Sequence, residues 1–248
     1  LHAAVRGRRR FAHCLNATGR QNEVPSRPMG RTKGSRSAAL RIVVTAGPTR
    51  EHLDDVRFLS NASTGRMGHA IAREAARRGA KVTLVLGPAA LPRLPSVKTV
   101  EVVSTRELLR ATRDAARDAD LVIFAAAPSD WRPALRRRGK PQREDGAFDL
   151  RLEPTEDVAK TLGRRKGRRV HVGFALQVAD GPKRARAKLE SKRFDAIVLN
   201  TPANLGRGGG PIHWIPQDGE PEPLPASSKA ATARAVVTRA LALVGARG

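Results

Sequence analysis

Beyond residue 40, short unbroken apolar runs alternate with longer segments whose apolar residues recur every three or four positions. This is the pattern of strands and helices in a mostly parallel sheet. Arg41 to Ala46 (RIVVTA) reads as a first strand, and Ser63 to Arg78 as a helix closed by Gly79 at its C′ position. Lys81 to Leu86 and Val97 to Val103 read as the next two strands. Ser104 and Glu107 have capping-box spacing and open a helix to about Asp118, before the buried strand Asp120 to Ala126 (DLVIFAA). Phe148, Leu150 and Leu152 alternate as in an edge strand, Thr155 to Gly163 reads as a short helix, and Val170 to Leu176 returns to the sheet. Pro182 to Arg193 is helical, Asp195 to Asn200 and Ile212 to Ile215 are strands, and a last helix capped near Ser227 or Ser228 runs to about Val244. No internal repeat is visible. The expected architecture is α/β, a Rossmann-like doubly wound, mostly parallel sheet with a flap after a central strand.

Two segments interrupt this rhythm. Gly47 to Ser63 places some seventeen residues between the first strand and its helix, where about two to six normally suffice, and long loops in a compact domain are usually functional. The carboxyl ends of strands in an open α/β sheet flank the binding crevice. The following helix opens with Ser63, Thr64, Gly65, Arg66, Met67 and Gly68, whose amides suit a phosphate. A dinucleotide, or glycines used only for close helix packing, would fit the same spacing. Against a nicotinamide cofactor stand the missing GxGxxG fingerprint and the missing acid after the second strand, where Leu86, Gly87 and Pro88 hold no ribose. The second interruption is Pro128 to Gly146, polar and broken by prolines, which reads as a mobile flap. Within it Asp130 suits a ribose hydroxyl or a metal, and Lys140 suits a phosphate on which charge develops during transfer.

Charge changes the picture less than its size suggests. The 248 residues include 47 Lys or Arg and 23 Asp or Glu, a net charge of +24, ordinarily a sign of nucleic acid or an anionic membrane. Residues 1–40 alone carry nine basic residues against Glu23, about a third of the excess. Arg outnumbers Lys by 37 to 10, a bias that a GC-rich coding sequence also produces. The rest lies in three clusters, Arg132 to Arg143, Lys160 to Arg169 and Lys183 to Arg193, for which a phosphate-rich small molecule is a sufficient partner. With 3% aromatic residues and no Tyr, a base-stacking surface is poorly supplied. The single cysteine, Cys14, rules out an intramolecular disulfide and a cysteine-based zinc cluster, which suits a reducing cytoplasm. Apolar runs such as Leu121 to Pro128 fall far short of the roughly 18 to 20 residues that span a bilayer. Residues 1–40 are expected to be a disordered basic tail, an Arg-rich transit segment, or an over-extended start with translation beginning at Met29. Residues 41–248 are the expected folded domain.

Four blocks, TAGPTREHLDDVRFLSNASTGRMG, AAAPSDWRP, VGFALQ and KLESKRFDAIVLN, resemble in order and spacing the phosphopantothenate-cysteine ligase family of coenzyme A biosynthesis, over about residues 41 to 245. The bacterial, CTP-using form is the most similar; it is generally the C-terminal half of a bifunctional protein, and its FMN-binding decarboxylase half has no expected counterpart in the forty tail residues. No FMN is therefore expected in this chain, and a separate decarboxylase is an expected partner. The resemblance implies a homodimer, Mg2+ as cofactor, and CTP, 4′-phosphopantothenate and L-cysteine as substrates. It also implies two steps: the carboxylate attacks the α-phosphate of CTP and releases pyrophosphate, then the cysteine amine attacks the acyl-cytidylate.

By the same resemblance, Asn61 is a catalytic residue that contacts the carboxylate as an uncharged donor, and Arg57 also binds substrate. Lys140, ten residues after Asp130 as the family's flap lysine is, is the second catalytic residue. The nucleotide falls to Gly47, Ser63, Gly65 and Gly68, to Phe124, Ala125 and Ala126, to Asp130 and Lys140, to the turn Thr155, Glu156, Asp157 and Val158, and to Phe174, Lys188 and Lys192. The last two, spaced i and i+4, are expected to converge on one phosphate. The chain departs from the pattern in four places. Thr155 to Val158 replaces an Asn-Pro-Asp-Ile turn and adds a negative charge, and Gln177 replaces a glutamate. Lys140 to Arg143 is a less Lys-rich flap, and Gly206 to Pro211 is a shortened, glycine-rich stretch. A Rossmann oxidoreductase and a basic nucleic-acid-binding module are the alternative readings.

Overall fold

The computed structural model describes residues 39–140, 142, 146–147, 149–176, 181–204 and 210–247. The expected tail lies almost wholly outside them, as do Phe148, Gln177 and residues 206–209. Twelve strands occur among the described residues: β1 (Arg41–Ala46), β2 (Arg50–His52), β3 (Phe58–Ser60), β4 (Lys81–Leu86), β5 (Val97–Glu101), β6 (Leu121–Phe124), β7 (Trp131–Pro133), β8 (Leu152–Pro154), β9 (Val170–Leu176), β10 (Ala196–Asn200), β11 (Ile212–Pro216) and β12 (Glu222–Leu224). Five α-helices accompany them: α1 (Arg66–Arg77), α2 (Thr105–Ala115), α3 (Val158–Gly163), α4 (Gly181–Lys192) and α5 (Lys229–Gly245). None of these helices is long and apolar enough to cross a membrane.

Eight strands form one sheet in the order β12-β11-β10-β9-β6-β1-β4-β5. From β10 to β5 neighbours run parallel, and β11 and β12 extend the β10 edge as an antiparallel meander. Helices α1 and α5 cover one face and α2, α3 and α4 the other, each over its own apolar cluster. Burial on both faces is why β1, β6 and β10 read as continuous apolar runs. The chain leaves β1 toward β4 and, after β5, crosses back to β6 on the other side of β1. The carboxyl ends of β1 and β6 are therefore the topological switch point, where ligands bind in sheets of this kind.

The structure moves several boundaries. Helix α1 starts at Arg66 rather than Ser63, because Gly65 takes a left-handed conformation (φ 68°) as its N-cap. The loop before it holds the β2–β3 hairpin, with Arg50 opposite Ser60. Leu152 belongs not to an edge strand of the main sheet but to a separate ribbon in which Pro133 faces Leu152 and Trp131 faces Pro154. The α3 helix starts at Val158, capped by the Asp157 carboxylate, which accepts from the Lys160 N–H at 2.9 Å. The capping box of α2 forms as expected: Ser104 Oγ accepts from Glu107 N–H at 3.2 Å, and Glu107 accepts from Val103 N–H at 2.8 Å.

Candidate functional site

At the switch point two clefts straddle the sheet end. The larger, about 460 Å³, lies over the start of α1, and the smaller, about 190 Å³, lies on the α2–α3–α4 face. They share Ala126, Asp130, Phe174 and Lys188, so a ligand can pass from one to the other around the ends of β6 and β9.

The larger cleft is built by the loop after β1. Asn61, Ser63 and Gly65 line it, together with Ala125. Helix α1 has no side-chain cap, which leaves its first-turn N–H groups for an anion. Gly47 and Gly68, expected at the nucleotide, are not among the lining residues. Gly47 makes a left-handed turn (φ 81°), with its carbonyl accepting from Ala127 N–H at 2.9 Å. A Cβ on Gly68 would stand 2.5 Å from the Ala46 Cβ, so this glycine serves the close packing of α1 on β1. The expected role of Asn61 also needs correcting. Its amide nitrogen donates to the carbonyls of Pro128 at 2.8 Å and Ala127 at 3.4 Å, so its donors are committed and Oδ1 remains as an acceptor.

Phe124 forms the floor of the smaller cleft, 5.5 Å from Phe194 and 5.3 Å from the buried His171 ring, between centroids. Thr155, Glu156, Asp157 and Val158 form one wall, as expected for a nucleotide turn. Thr155 is tied back to the loop after β6, donating through its hydroxyl to Ser129 O at 2.6 Å and through its N–H to Asp130 O at 2.9 Å. Glu156 lies 3.9 Å from the Arg132 guanidinium. Lys188 and Lys192 both reach this cleft but do not act alike. Lys192 pairs with Asp157 at 2.9 Å, which corrects the expectation that both lysines await one phosphate. Lys188 has no ion-pair partner among the described residues. Burial first, and then the Lys192 charge, hold its ammonium below the usual lysine range, while Asp130 and Asp157 pull the other way.

Like Gly47 and Gly68, Arg57 and Lys140 stand outside both clefts. Arg57 donates through Nε to the buried Asp54 at 2.7 Å and so closes the β2–β3 turn. Hydrogen bonds from the Arg57 N–H above all, then from Val56 and the guanidinium, hold that carboxyl down to about 2 against the cost of burial. Lys140 is exposed at the end of a flap segment docked on the same turn, where Gly139 N–H donates to Asp55 at 2.7 Å and Arg136 to Asp55 at 3.0 Å. Sequence reasoning missed Asn200, Asn204 and Lys229 on the far wall of the larger cleft. Asn204 is buried and donates to Asn200 Oδ1 at 2.6 Å, an arrangement with no local sequence signature. Among the described residues no group of three or more His, Cys, Asp or Glu gathers to hold a metal. Asp130, between the clefts, is the hard oxygen donor best placed for an ion that arrives with its own ligands.

Comparison with known proteins adds to this geometry. A family model described as the DNA/pantothenate metabolism flavoprotein C-terminal domain matches residues 37–243. The coenzyme A biosynthesis bifunctional protein CoaBC of Bacillus subtilis (strain 168) is 37% identical over 193 residues, covering 76% of this chain and 48% of that protein. A cysteine/cysteine sulfinic acid decarboxylase from an unknown prokaryotic organism is 44% identical over 172 residues, covering 68% of this chain and 48% of that protein. The crystal structure of the C-terminal domain of CoaBC superposes with a TM-score of 0.72 at 35% identity, covering 84% of this chain and 96% of that one. The chain thus spans about half the length of the curated relatives it matches.

Proposed function

This chain belongs to the DNA/pantothenate metabolism flavoprotein C-terminal domain family, and from that premise we propose that it joins 4′-phosphopantothenate to L-cysteine at the expense of CTP, in coenzyme A biosynthesis in the cytoplasm. The observation that carries this reading is the double cleft, with an uncapped helix N-terminus on one side and, between its halves, the desolvated Lys188, which has no ion-pair partner among the described residues. In the first step a carboxylate oxygen of phosphopantothenate bonds to the α-phosphorus of CTP, and the bond to pyrophosphate breaks. In the second the cysteine amine attacks the acyl carbon, CMP departs and the amine loses a proton. The nucleotide takes the smaller cleft, its base over Phe124 and its phosphates toward Lys188 and the start of α1. Asn61 presents Oδ1 to the incoming amine, a role that a committed amide can fill and a free donor cannot. Mg2+ carried by the triphosphate would meet Asp130 and neutralise charge on the departing pyrophosphate. Lys140 swings in from the flap to the same phosphates. A homodimer covers the apolar residues that the two ribbons leave exposed, among them Trp131 (53% exposed), Leu152 (39%) and Phe58 (39%).

The test is pyrophosphate release from CTP with phosphopantothenate, followed by quenched flow with and without cysteine. Release that depends on both substrates, vanishes with EDTA and returns with Mg2+ supports the reading. NAD(P) binding or duplex DNA retention without release would replace it by one of the alternatives. Lys140→Gln should slow acyl-cytidylate formation about a hundredfold, or about 2.7 kcal/mol. Asn61→Asp keeps an acceptor but cannot donate to the Pro128 and Ala127 carbonyls that hold the side chain in place, so it should form the intermediate and fail to consume it.

A further inference from the structure

Beneath the crevice lies a closed cycle of hydrogen bonds assembled from three distant segments. Ser129 N–H donates to Thr49 Oγ1 at 2.8 Å, the hydroxyls of Thr49 and Thr105 are 2.9 Å apart, and Thr105 Oγ1 donates to Ser129 O at 3.4 Å. Because the Thr105 proton goes to Ser129, the Thr49 proton is left for Thr105, and each group in the cycle donates once. Thr49 is 0%, Thr105 1% and Ser129 8% exposed, so water does not compete. The cycle is keyed from outside by the buried Glu51, which accepts from Thr105 N–H at 2.8 Å at the start of α2. It is also braced by the Thr155 hydroxyl on Ser129 O at 2.6 Å.

None of Thr49, Thr105 or Glu51 lines either cleft, yet both polar groups of the Ser129 main chain are committed to the cycle, and the Ser129 carbonyl belongs to the peptide that leads into Asp130. We propose that Thr49 and Thr105 are positioning residues: their hydroxyl cycle fixes the plane of the Ser129–Asp130 peptide and thereby the direction in which the Asp130 carboxylate enters the crevice. Thr49 also holds the other half of the site, since its carbonyl accepts from Ser60 Oγ at 2.7 Å, next to Asn61. One buried residue thus ties the loop that carries Asn61 to the strand end that carries Asp130. This deepens the function proposed above and rests on it for the kinetic readout only.

The test compares Thr105→Val, which keeps the volume and deletes the hydroxyl, with Thr105→Ser, which restores it. Thr105→Val should raise the KM for Mg-CTP about tenfold, as expected for one buried hydrogen bond, with the KM for cysteine unchanged, and Thr105→Ser should return to within about twofold. In the Asp130→Asn background Thr105→Val should add nothing, because it acts through that carboxylate. Additive losses, or a fall in thermal stability with an unchanged nucleotide KM, would overturn the proposal. If Thr105→Val does not fold, Thr105→Cys offers nearly the same volume with only a weak donor and carries the same expectations. Hydrogen exchange at the Ser129 amide separates this test from the assignment of activity. Exchange should be at least about tenfold faster in Thr105→Val than in the wild type and slow again in Thr105→Ser, whether or not CTP is the substrate. Equal exchange in all three would refute the cycle's role even in an active ligase.

Discussion

The two ends of the main sheet each hold a half-buried lysine and put it to a different use. At the amino ends of the strands, Asp195 is 4% exposed and fully matched: it accepts from Lys166 Nζ at 2.7 Å, from His171 N–H at 2.7 Å and from the Arg247 guanidinium. A cavity of about 480 Å³ opens beside this cluster, as large as the main cleft at the other end, but its least exposed basic residue, Lys166, is already paired. Lys166 is held by Asp195, and Arg186 donates to Gly219 O at 2.7 Å. At the carboxyl ends, Lys188 is half-buried with no ion-pair partner among the described residues, and the helix beside it is uncapped. Cavity size therefore does not distinguish the two sites; the pairing of their half-buried lysines does, Lys166 being matched by Asp195 and Lys188 having no ion-pair partner among the described residues. A matched buried charge fixes one conformation, whereas an unmatched one is a standing cost that a ligand of opposite sign removes.

The sharpest way to break the comparison is to unmatch the lower end. Asp195→Asn leaves Lys166 buried beside Arg247 without a counter-charge, and removing one member of such a set costs about 3 to 5 kcal/mol. The melting temperature should drop by roughly 10 °C, measured by circular dichroism, while activity at 20 °C, a temperature set by the assay, persists. A shift under about 2 °C would mean the cluster is not structural. Next comes Lys188→Gln at the upper end, which should weaken binding of a nucleoside triphosphate about ten- to a hundredfold, read by calorimetric titration, and leave the melting temperature level or slightly higher.

The third prediction concerns His171, edge-on to Phe124 and wholly buried. Burial first, then the charges of Lys166, Arg169 and Arg247, push its imidazole down to about 3. The native state therefore keeps it neutral while the unfolded chain takes a proton near the ordinary value of 6.5. Stability is complete above pH 6.5 and is lost as pH falls toward 3, by up to about 1.4 kcal/mol per pH unit. Asp54 and Glu74, both held down to about 2, add their losses only below their ordinary values of 3.8 and 4.5. The interval from pH 6.5 to 5 thus isolates the histidine. Urea midpoints at these two pH values should differ in the wild type and nearly coincide in His171→Leu. The smallest expected effect is that of Lys192→Gln. Its ammonium is already spent on Asp157, so triphosphate affinity should fall only about threefold; a loss equal to that of Lys188→Gln would restore the converging pair.

How far this contrast was legible in the sequence follows from what each feature depends on. The strands β1, β4, β6, β9 and β10 are legible because burial on two faces demands apolar runs, and the α2 cap because it is a local pattern of two residues. The ribbon strands β2, β3, β7 and β8 and the edge strand β12 are three residues each and partly exposed, too short for a period-two signal. Lys188 and Lys192 are legible as a pair on one helix face, but the contact that sets them apart, Lys192 on Asp157, joins α4 to the start of α3 and exists only in the folded packing. Arg57 bound to Asp54 spans a turn of three residues and was readable as a structural clip. The cycle through Thr49, Thr105 and Ser129 spans eighty residues and leaves no trace in any local pattern.

The most direct test of the contrast is the rise in melting temperature on adding saturating Mg-CTP to three proteins: the wild type, Lys188→Gln and Asp195→Asn. Ligand that binds only the folded state raises stability by RT ln(1 + [L]/Kd). The wild type and Asp195→Asn should therefore show similar rises from different baselines, and Lys188→Gln should show a much smaller one from the wild-type baseline. A full rise in Lys188→Gln, or its loss in Asp195→Asn, would contradict the division between a ligand end and a structural end.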